Sequence, residues 1–418
     1  MVSNFETGLQ SAESVRSVRP RIAHQWLGVA VAVAAVGWGA NQFAPLILMY
    51  RSTLGVSAAT TGATYGVYAA GLIPGLLLGG PVSDRLGRRR VTVWSLLVSA
   101  VASAVLVLAE VGVVWLFVGR LIAGVASGIA FSSGTAWLKE LSVIAGAKGN
   151  GARRSTVAMT SGFAVGPLVA GLLAQYAPAP MIVAYLPHIV LTLIAVALVA
   201  RAPETREPNP DVRIWQSLHL HEDSRRRFLG VVVPVAPWVF GTSSIALAYL
   251  PGLVQDRLGD TDLIFSAVVT TMTMLAGILV QPLARRFEKP GTSRLVVTAL
   301  VIVTVGMIVG ASAAAAESPI LIVMATIVLG AGYGCCLVFG LSELQELASS
   351  DNLARVTALF QAVAYTGFAT PYLLALVEFV LPIPTLLVAV AVLAILTLVS
   401  IVLRERSLRS HSDTSNLR

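Results

Sequence analysis

Long apolar stretches, separated by short polar segments, make up most of this chain. Twelve of them reach the roughly 20 residues that an α-helix needs to cross the hydrocarbon layer of a bilayer. They lie approximately at residues 24–49, 57–79, 91–112, 114–138, 156–176, 181–200, 228–250, 263–283, 294–315, 319–341, 356–380 and 382–403. The pattern therefore predicts an all-α integral membrane protein with twelve transmembrane helices, which places it in the lipid bilayer.

Composition agrees with this reading, because 56% of the residues are apolar, 12% are charged and the mean hydropathy is +0.81. Residues 1–22 contain no apolar run. The first apolar stretch is too long for the core of a signal peptide, so we expect it to be an uncleaved span.

The basic residues predict the orientation of these spans. With both termini in the cytoplasm, 26 of the 29 Lys and Arg residues fall in cytoplasmic segments, and the opposite orientation would invert this bias. We therefore expect a multi-pass protein of the cell membrane with cytoplasmic tails at residues 1–22 and 404–418. Topology thus accounts for the net charge of +8. The basic residues are dispersed and lack interleaved aromatics, so no nucleic-acid partner is expected.

A polar stretch at residues 201–227 divides six spans from six, which predicts two helical bundles at residues 23–200 and 228–403 joined by a cytoplasmic linker. The second half echoes the first at an offset of about 201 to 206 residues. In the fourth span of each half, Gly124 and Gly128 correspond to Gly330 and Gly334 within a match of six positions that has no gap. This is the pattern of a parallel duplication around a pseudo-two-fold axis, with a substrate site expected near the membrane midplane between the halves.

Between the second and third spans the chain reads Gly80-Pro-Val-Ser-Asp84-Arg85-Leu-Gly87-Arg-Arg-Arg90. Gly80 and Asp84 share one helix face, Gly87 can break the helix, and the arginines stay on the side of the membrane that retains positive charge. This order resembles the signature loop of the major facilitator superfamily of transporters, and of its twelve-helix drug/proton antiporters in particular.

The resemblance implies that the loop works as a conformational gate, formed here by Gly80, Asp84, Arg85, Gly87, Arg88 and Arg89. It also implies that Asp84 reaches the amino-terminal end of the eleventh helix, near Asn352, in the other half. Such a helix end carries about half a positive charge. This attraction would hold the cytoplasmic side shut.

In the fourth span, Arg120, Gly124 and Gly128 lie along one helix face. A guanidinium in hydrocarbon costs roughly 2.5–3.5 kcal/mol, so we expect Arg120 to face a polar cavity or a partner. The alternative is that it extends to the near membrane interface. The Arg-x-x-x-Gly-x-x-x-Gly order is similar to a fourth-helix motif of the superfamily that is associated with proton coupling. Arg120, together with Asp84, is therefore the candidate for that role.

The fifth span carries Gly162, Gly166, Pro167 and Gly171, a small-residue face with a proline that can bend the helix. The Gly-x-x-x-Gly-Pro-x-x-x-Gly pattern resembles the motif that marks exporters exchanging substrate for protons in this superfamily. The alternative is that these residues serve helix packing alone.

The resemblance also places the first, fourth, seventh and tenth helices around the substrate cavity. Polar and aromatic residues of these helices and of the eleventh are the candidate substrate contacts: Trp38, Asn41, Gln42, Trp238, Ser243, Tyr333, Gln361 and Tyr365. Such a cavity suits a small lipophilic or amphipathic molecule better than a phosphorylated or dianionic one. The first helix carries Asn41 and Gln42 where many drug exporters carry an acid, so the sequence leaves the proton carrier unassigned.

We therefore expect an exporter of small lipophilic compounds that exchanges them for protons and functions as a monomer. An uptake permease and a sensor that no longer transports remain alternatives. An enzyme is disfavoured because the sequence has no metal-ligand cluster, no nucleophile motif and no phosphate-binding loop, and no cofactor or metal is expected. The identity of the substrate does not follow from the sequence.

Overall fold

The computed structural model describes residues 25–146, 150–211, 222–288, 294–349 and 352–415. Within these ranges the chain is helical and has no β-strand, as predicted. The predicted tail at residues 1–22 and part of the linker, at 212–221, lie outside the described residues.

Six helices form the first half. They are α1 (Gln25–Leu54), α2 (Ala58–Leu86), α3 (Arg88–Glu110), α4 (Val114–Ile144), α5 (Gly151–Tyr176) and α6 (Pro180–Val199). Helix α1 is interrupted at Gln42, between its pieces Gln25–Asn41 and Phe43–Leu54. Pro45 accounts for this break, because it cannot donate a hydrogen bond to the carbonyl of Asn41.

Six further helices form the second half. They are α7 (222–254), α8 (Asp262–Leu279), α9 (Arg294–Ala316), α10 (Pro319–Leu347), α11 (353–377) and α12 (Ile383–Ser415). Helix α7 contains two π-helical turns, at Phe228–Val232 and Ile245–Tyr249. After α8 the chain continues as a short helix, Gln281–Phe287.

Eleven apolar helical segments are long enough to cross a membrane, and one of them, Ser224–Phe287, contains two of the predicted spans. Its 64 residues are far more than one crossing needs. The chain turns near Gly259, which has a φ of +51°, and α8 then packs back against the last turns of α7. The described helices therefore make twelve crossings, six in each half, which confirms the predicted fold class.

Close backbone contact joins α4 to α2. A methyl group added to Gly124 would overlap the carbonyl oxygen of Tyr68, and one added to Gly128 would overlap that of Leu72. Small residues permit this approach, which is how transmembrane helices gain van der Waals contact when lipid offers no hydrophobic driving force.

The second half repeats this contact with α10 on α8. Gly330 lies against the carbonyl of Thr273, and Gly334 lies against the carbonyl of Gly277. These two glycines are the ones that the sequence comparison matched to the glycines of α4. The duplication seen in the sequence thus reappears as the same helix contact in each half.

The two halves meet along the pairs α2/α11 and α5/α8. Gly62 lies against the backbone of Tyr372, and the Thr271 hydroxyl donates to the carbonyl of Ala164 at 2.9 Å. We call the membrane side that holds residues 80–90 the signature-loop side, and the other the opposite side. Both of these contacts lie between the membrane middle and the opposite side.

We expect Gly128→Ala to lower the stability of the folded protein. The added methyl would meet the backbone of α2, which cannot move aside as a flexible side chain can, and such overpacking costs about 1–3 kcal/mol. The melting temperature of the purified protein in detergent measures the effect. Gly112→Ala is the matched control, because a methyl there enters open space. Equal melting temperatures for both variants would contradict the proposed packing.

Candidate functional site

The signature loop is a tight corner between α2 and α3. Gly87 separates the two helices with a φ of +96°, a conformation that favours glycine. An added side chain would also be blocked, since a Cβ at this position would lie 2.6 Å from a carboxylate oxygen of Glu204. Gly87 therefore allows an acid from outside the loop to approach the backbone.

Arg88 is the centre of a buried polar cluster at this corner. Its guanidinium forms ion pairs with Asp84 at 2.6 Å and with Glu140 of α4 at 3.2 Å. It also donates a hydrogen bond to the hydroxyl of Ser83 at 2.7 Å. Arg88 is only 5% exposed, so these partners replace the water that a charged side chain otherwise needs.

A short segment after α6, residues 203–206, lies across this cluster, and we call it the linker strap. Glu204 accepts hydrogen bonds from the backbone N–H groups of Arg88, at 2.9 Å, and Arg89, at 3.0 Å. It therefore satisfies donors at the start of α3 that have no partner within the helix. The indole of Trp137 in α4 donates to the carbonyl of Pro203 at 3.1 Å, which fixes the strap against the bundle.

Asp84 pairs within its own half in this conformation. Its ion pairs among the described residues are with Arg88 and with Arg206 of the linker strap, at 3.5 Å. The expected contact between the Asp84 carboxylate and the start of α11 is not among these ion pairs. Of the other expected gate residues, Arg85 and Arg89 are exposed, and Gly80 lies beside Ser132 of α4.

Arg120 is fully buried inside the first half and surrounded by aromatic rings. Its guanidinium carbon lies 4.6 Å from the ring centroid of Phe43, 5.6 Å from that of Tyr65 and 4.3 Å from that of Tyr68. The ring faces attract the cation without neutralising it. We call these three rings the arginine cage.

The guanidinium of Arg120 has few polar partners. Nη1 donates to the carbonyl of Ala40 in α1 at 3.4 Å, whereas the buried Nε and Nη2 have no hydrogen-bond partner in the described part of the chain. Because the side chain is 0% exposed and points into the bundle, the alternative that Arg120 extends to the membrane interface is wrong.

Aromatic rings from both halves meet beside the arginine cage. The ring of Phe240 in α7 lies 4.3 Å from that of Tyr365, 5.2 Å from that of Phe368 and 5.7 Å from that of Tyr333, centroid to centroid. Phe368 in turn contacts the rings of Tyr65, at 5.3 Å, and Tyr68, at 5.8 Å. Tyr333 and Tyr365, two of the predicted substrate contacts, thus belong to one aromatic layer that bridges the halves.

The glycines predicted on α5 lie in helix contacts. Gly162 packs on the backbone of Ala34 in α1, and Gly166 packs on Trp38. Gly171 instead meets Ala267 of α8, across the boundary between the halves. Pro167 is buried in this helix next to Gly166. The α5 pattern therefore joins α1 on one face and the other half on a second face.

The remaining predicted substrate contacts on α1 and α11 divide into two groups. Trp38 is partly exposed and its buried indole N–H has no partner among the described residues, and Gln361 of α11 is also partly exposed. Asn41, by contrast, donates to the carbonyl of Phe163 in α5 at 3.4 Å. Gln42 is fully buried and donates to Ser103 of α3 at 3.0 Å.

Two predicted residues of α7 are turned toward helical neighbours. The indole of Trp238 donates to the hydroxyl of Thr397 in α12 at 3.3 Å, and Ser243 donates to the carbonyl of Phe240 one turn earlier. Both side chains therefore have partners within the second half.

Sequence reasoning missed Glu204, Tyr65, Tyr68 and Phe368. An acid that directly follows a span on the side of the loop arginines was a usable signal for Glu204. The two tyrosines are three residues apart and so share a helix face, but nothing in the sequence indicates which neighbour that face meets.

Two six-helix bundles with a charged hinge at one membrane side and an aromatic layer between them form the architecture that membrane transporters with parallel repeats share. The model of the Major Facilitator Superfamily matches residues 27–372. The chain therefore belongs to the major facilitator superfamily, as the signature loop indicated.

The chain is 30% identical to a chloramphenicol resistance protein of Pseudomonas aeruginosa over 262 residues, which are 61% of this chain. That match spans 60% of the relative's own length.

Solved structures of transporters share the fold. A peptide transporter, POT, in complex with sulfate matches with a TM-score of 0.73 and 15% identity, over 93% of this chain and 98% of that chain. A D-xylose-proton symporter matches with a TM-score of 0.67 and 16% identity, over 88% and 96%. A bacterial homologue of the human lysosomal transporter Spinster, in an inward-facing and unoccupied conformation, matches with a TM-score of 0.68 and 12% identity, over 93% and 97%.

We expect Arg88→Ala to destabilise the protein by about 1–3 kcal/mol, because it leaves the carboxylates of Asp84 and Glu140 half-buried with their main cationic partner removed. Arg90→Ala is the control, since Arg90 is the exposed neighbour and its loss should change stability by less than about 0.5 kcal/mol. Thermal unfolding of the two purified variants measures the difference. A loss of equal size in both would show that Arg88 contributes nothing beyond surface charge.

Proposed function

We propose that this protein exports small lipophilic or amphipathic organic compounds from the cytoplasm in exchange for protons. The observation that carries the proposal is the aromatic layer formed by α7, α10 and α11 with Tyr65 and Tyr68. Rings of this kind offer a large apolar contact area at the boundary between the halves, where a transporter of this fold binds its substrate. Substrates with several negative charges would need several cationic side chains instead.

The proposal that transport runs outward rests on the sequence pattern of α5. Its Gly162, Gly166 and Pro167 follow the pattern that exporters of this superfamily share, and the two glycines pack on α1 beside Trp38. The relative from Pseudomonas aeruginosa is named for resistance to chloramphenicol. Removal of a toxic compound from the cell fits such a name and supports export over uptake.

We assign the signature-loop side to the cytoplasm, because most of the Lys and Arg residues gather there. The contacts of Gly62 and Thr271 between the halves then lie toward the outer side, which supports an inward-open conformation, the one in which an exporter loads its substrate. The lipid-embedded helices and both tails would follow the orientation that the sequence predicts.

Asp84 would change partners during transport. In the structure it pairs with Arg88 and Arg206. As the cytoplasmic side closes, the start of α11 would approach, and its helix dipole would attract the same carboxylate. The acid would thus hold each of the two states in turn, and Asp84 and Arg120 are our candidates for coupling this movement to protons.

An uptake permease is the runner-up, because a proton symporter shares the fold. Inside-out vesicles separate the two. An exporter that exchanges substrate for protons should accumulate a neutral lipophilic dye such as Nile red when the vesicle interior is made acidic. A symporter would instead drive the dye outward under the same gradient.

We expect Asp84→Asn to remain folded in the membrane but to lose most of this dye accumulation, because an amide carries no charge for the dipole of α11 to attract. Glu110→Gln is the matched control: the same chemical change at an exposed acid on the opposite side should leave transport near the wild-type rate. Wild-type rates in a correctly inserted Asp84→Asn variant would refute the gating role. Absence of any gradient-driven dye movement in the wild type would refute the proposed function itself.

A further inference from the structure

The charges of this protein are distributed very unevenly across the membrane. The membrane-embedded parts of α1, α4, α7, α10 and α11 carry no Asp or Glu, because the acids of these helices lie at their ends: Glu140, Glu222, Asp223, Glu343, Glu346 and, just after α11, Glu378. Arg120 is the exception among charged side chains, because it is completely buried and has no carboxylate within ion-pair distance in the described part of the chain. The interior at this level therefore has a net positive charge.

This charge lies directly behind the boundary between the halves. Its guanidinium is 4.3 Å from the ring centroid of Tyr68, and that ring is 5.8 Å from the ring of Phe368 in the other half. The ring of Tyr65 likewise lies between the Arg120 guanidinium and the ring of Phe368. One layer of tyrosine therefore separates the cation from the surface that must open toward the opposite side.

Nothing in the cage cancels the charge. The three rings carry quadrupoles but no net charge, and the nearest acceptor is one backbone carbonyl, that of Ala40. Two of the N–H-bearing nitrogens, Nε and Nη2, remain without partners. The field of the guanidinium is thus available to whatever occupies the boundary between the halves.

We propose that the transport pathway selects its substrates by charge, accepting neutral lipophilic compounds and rejecting lipophilic cations, with Arg120 as the residue that sets this preference. The inference rests on the proposed export function and names its substrate class. A substrate passing between the halves would come within roughly 10 Å of the guanidinium, where repulsion in a medium of effective dielectric about 20 disfavours a cation by about tenfold or more.

The test uses two compounds of the same size and shape. In 4-tert-butylnitrobenzene the para substituent is C(CH₃)₃, and in (4-nitrophenyl)trimethylammonium it is N(CH₃)₃⁺, so the pair matches in size and shape and differs in charge and in the lipid partitioning that follows from it, which empty nanodiscs measure. Both quench tryptophan fluorescence through the nitroaryl group. Binding to the purified full chain in nanodiscs of zwitterionic lipid gives a ratio of dissociation constants that does not depend on transport or on membrane surface charge.

We expect the wild type to bind the cation at least about tenfold more weakly than the neutral compound. Asn41→Asp places a carboxylate next to Ala40, whose carbonyl receives the Arg120 hydrogen bond, and should bring the ratio close to one. Asn41→Ser is the matched control, because it also loses the amide contact to Phe163 but adds no charge; whatever it does to the two dissociation constants, their ratio should stay at the wild-type value. Arg120→Gln removes the charge itself and should also bring the ratio close to one.

Equal binding of the two compounds by the wild type would overturn the inference, and so would an unchanged ratio in a folded Asn41→Asp variant. The proposed function is judged separately by the dye assay. Preferential binding of the neutral compound without any dye transport would keep the charge preference and refute export. Dye export together with equal binding of both compounds would keep export and refute the charge preference. Failure to bind either compound would also refute the charge preference.

Discussion

Polar groups that enter the hydrocarbon layer must find their partners inside the protein, and this constraint organises the structure. At the interruption of α1, Gln42 donates to Ser103, which in turn bonds to the buried His188 of α6 at 2.8 Å, so three helices share one polar chain. Arg88 satisfies its charge with carboxylates at the membrane edge. Arg120 departs from the rule, because aromatic faces take the place of a counter-ion. A residue that breaks a rule observed by its neighbours is a natural place to look for function.

Small residues serve two kinds of helix contact: contacts within a half, which persist during transport, and contacts between the halves, which must separate. Within each half, glycines on α4 and α10 hold their neighbours in continuous backbone contact, which keeps each bundle rigid. Between the halves, Gly62 and Gly171 also make close contacts, at slightly longer distances. Among the described residues, however, no more than two hydrogen bonds cross that boundary. The Thr271 hydroxyl donates to the carbonyl of Ala164, and the N–H of Leu263 donates to the side chain of Gln175. Such a boundary can separate without leaving many buried polar groups unpaired, as alternating access requires.

The twelve spans, the duplication and the small-residue faces could be predicted because each is a property of local sequence or of its repetition. The partner of Glu204 in the linker strap could not, because more than a hundred residues separate Glu204 from Arg88 and no local pattern connects them. Rotation of a helix about its own axis was the other missing quantity. These helices carry apolar residues on every face. The sequence therefore does not indicate which face meets the rest of the protein, or which way an amide or an indole points. Gln42 and Trp238 therefore fitted a cavity in the sequence but have partners on α3 and α12 in the structure.

The two sides of the gate differ in the interactions that hold them closed. On the opposite side, the rings of Tyr65 and Tyr68 meet Phe368, and each such pair contributes about 0.5–1.5 kcal/mol beyond its buried area. Arg120 is held by rings of its own half, so its cage moves as one body with that half and no ion pair breaks when the rings part. On the signature-loop side the proposed contact, between Asp84 and the start of α11, would be electrostatic, and salt weakens exposed electrostatic contacts but not ring contacts. Higher ionic strength should therefore weaken closure on the signature-loop side but not on the opposite side, and so favour the state that is open toward the signature-loop side.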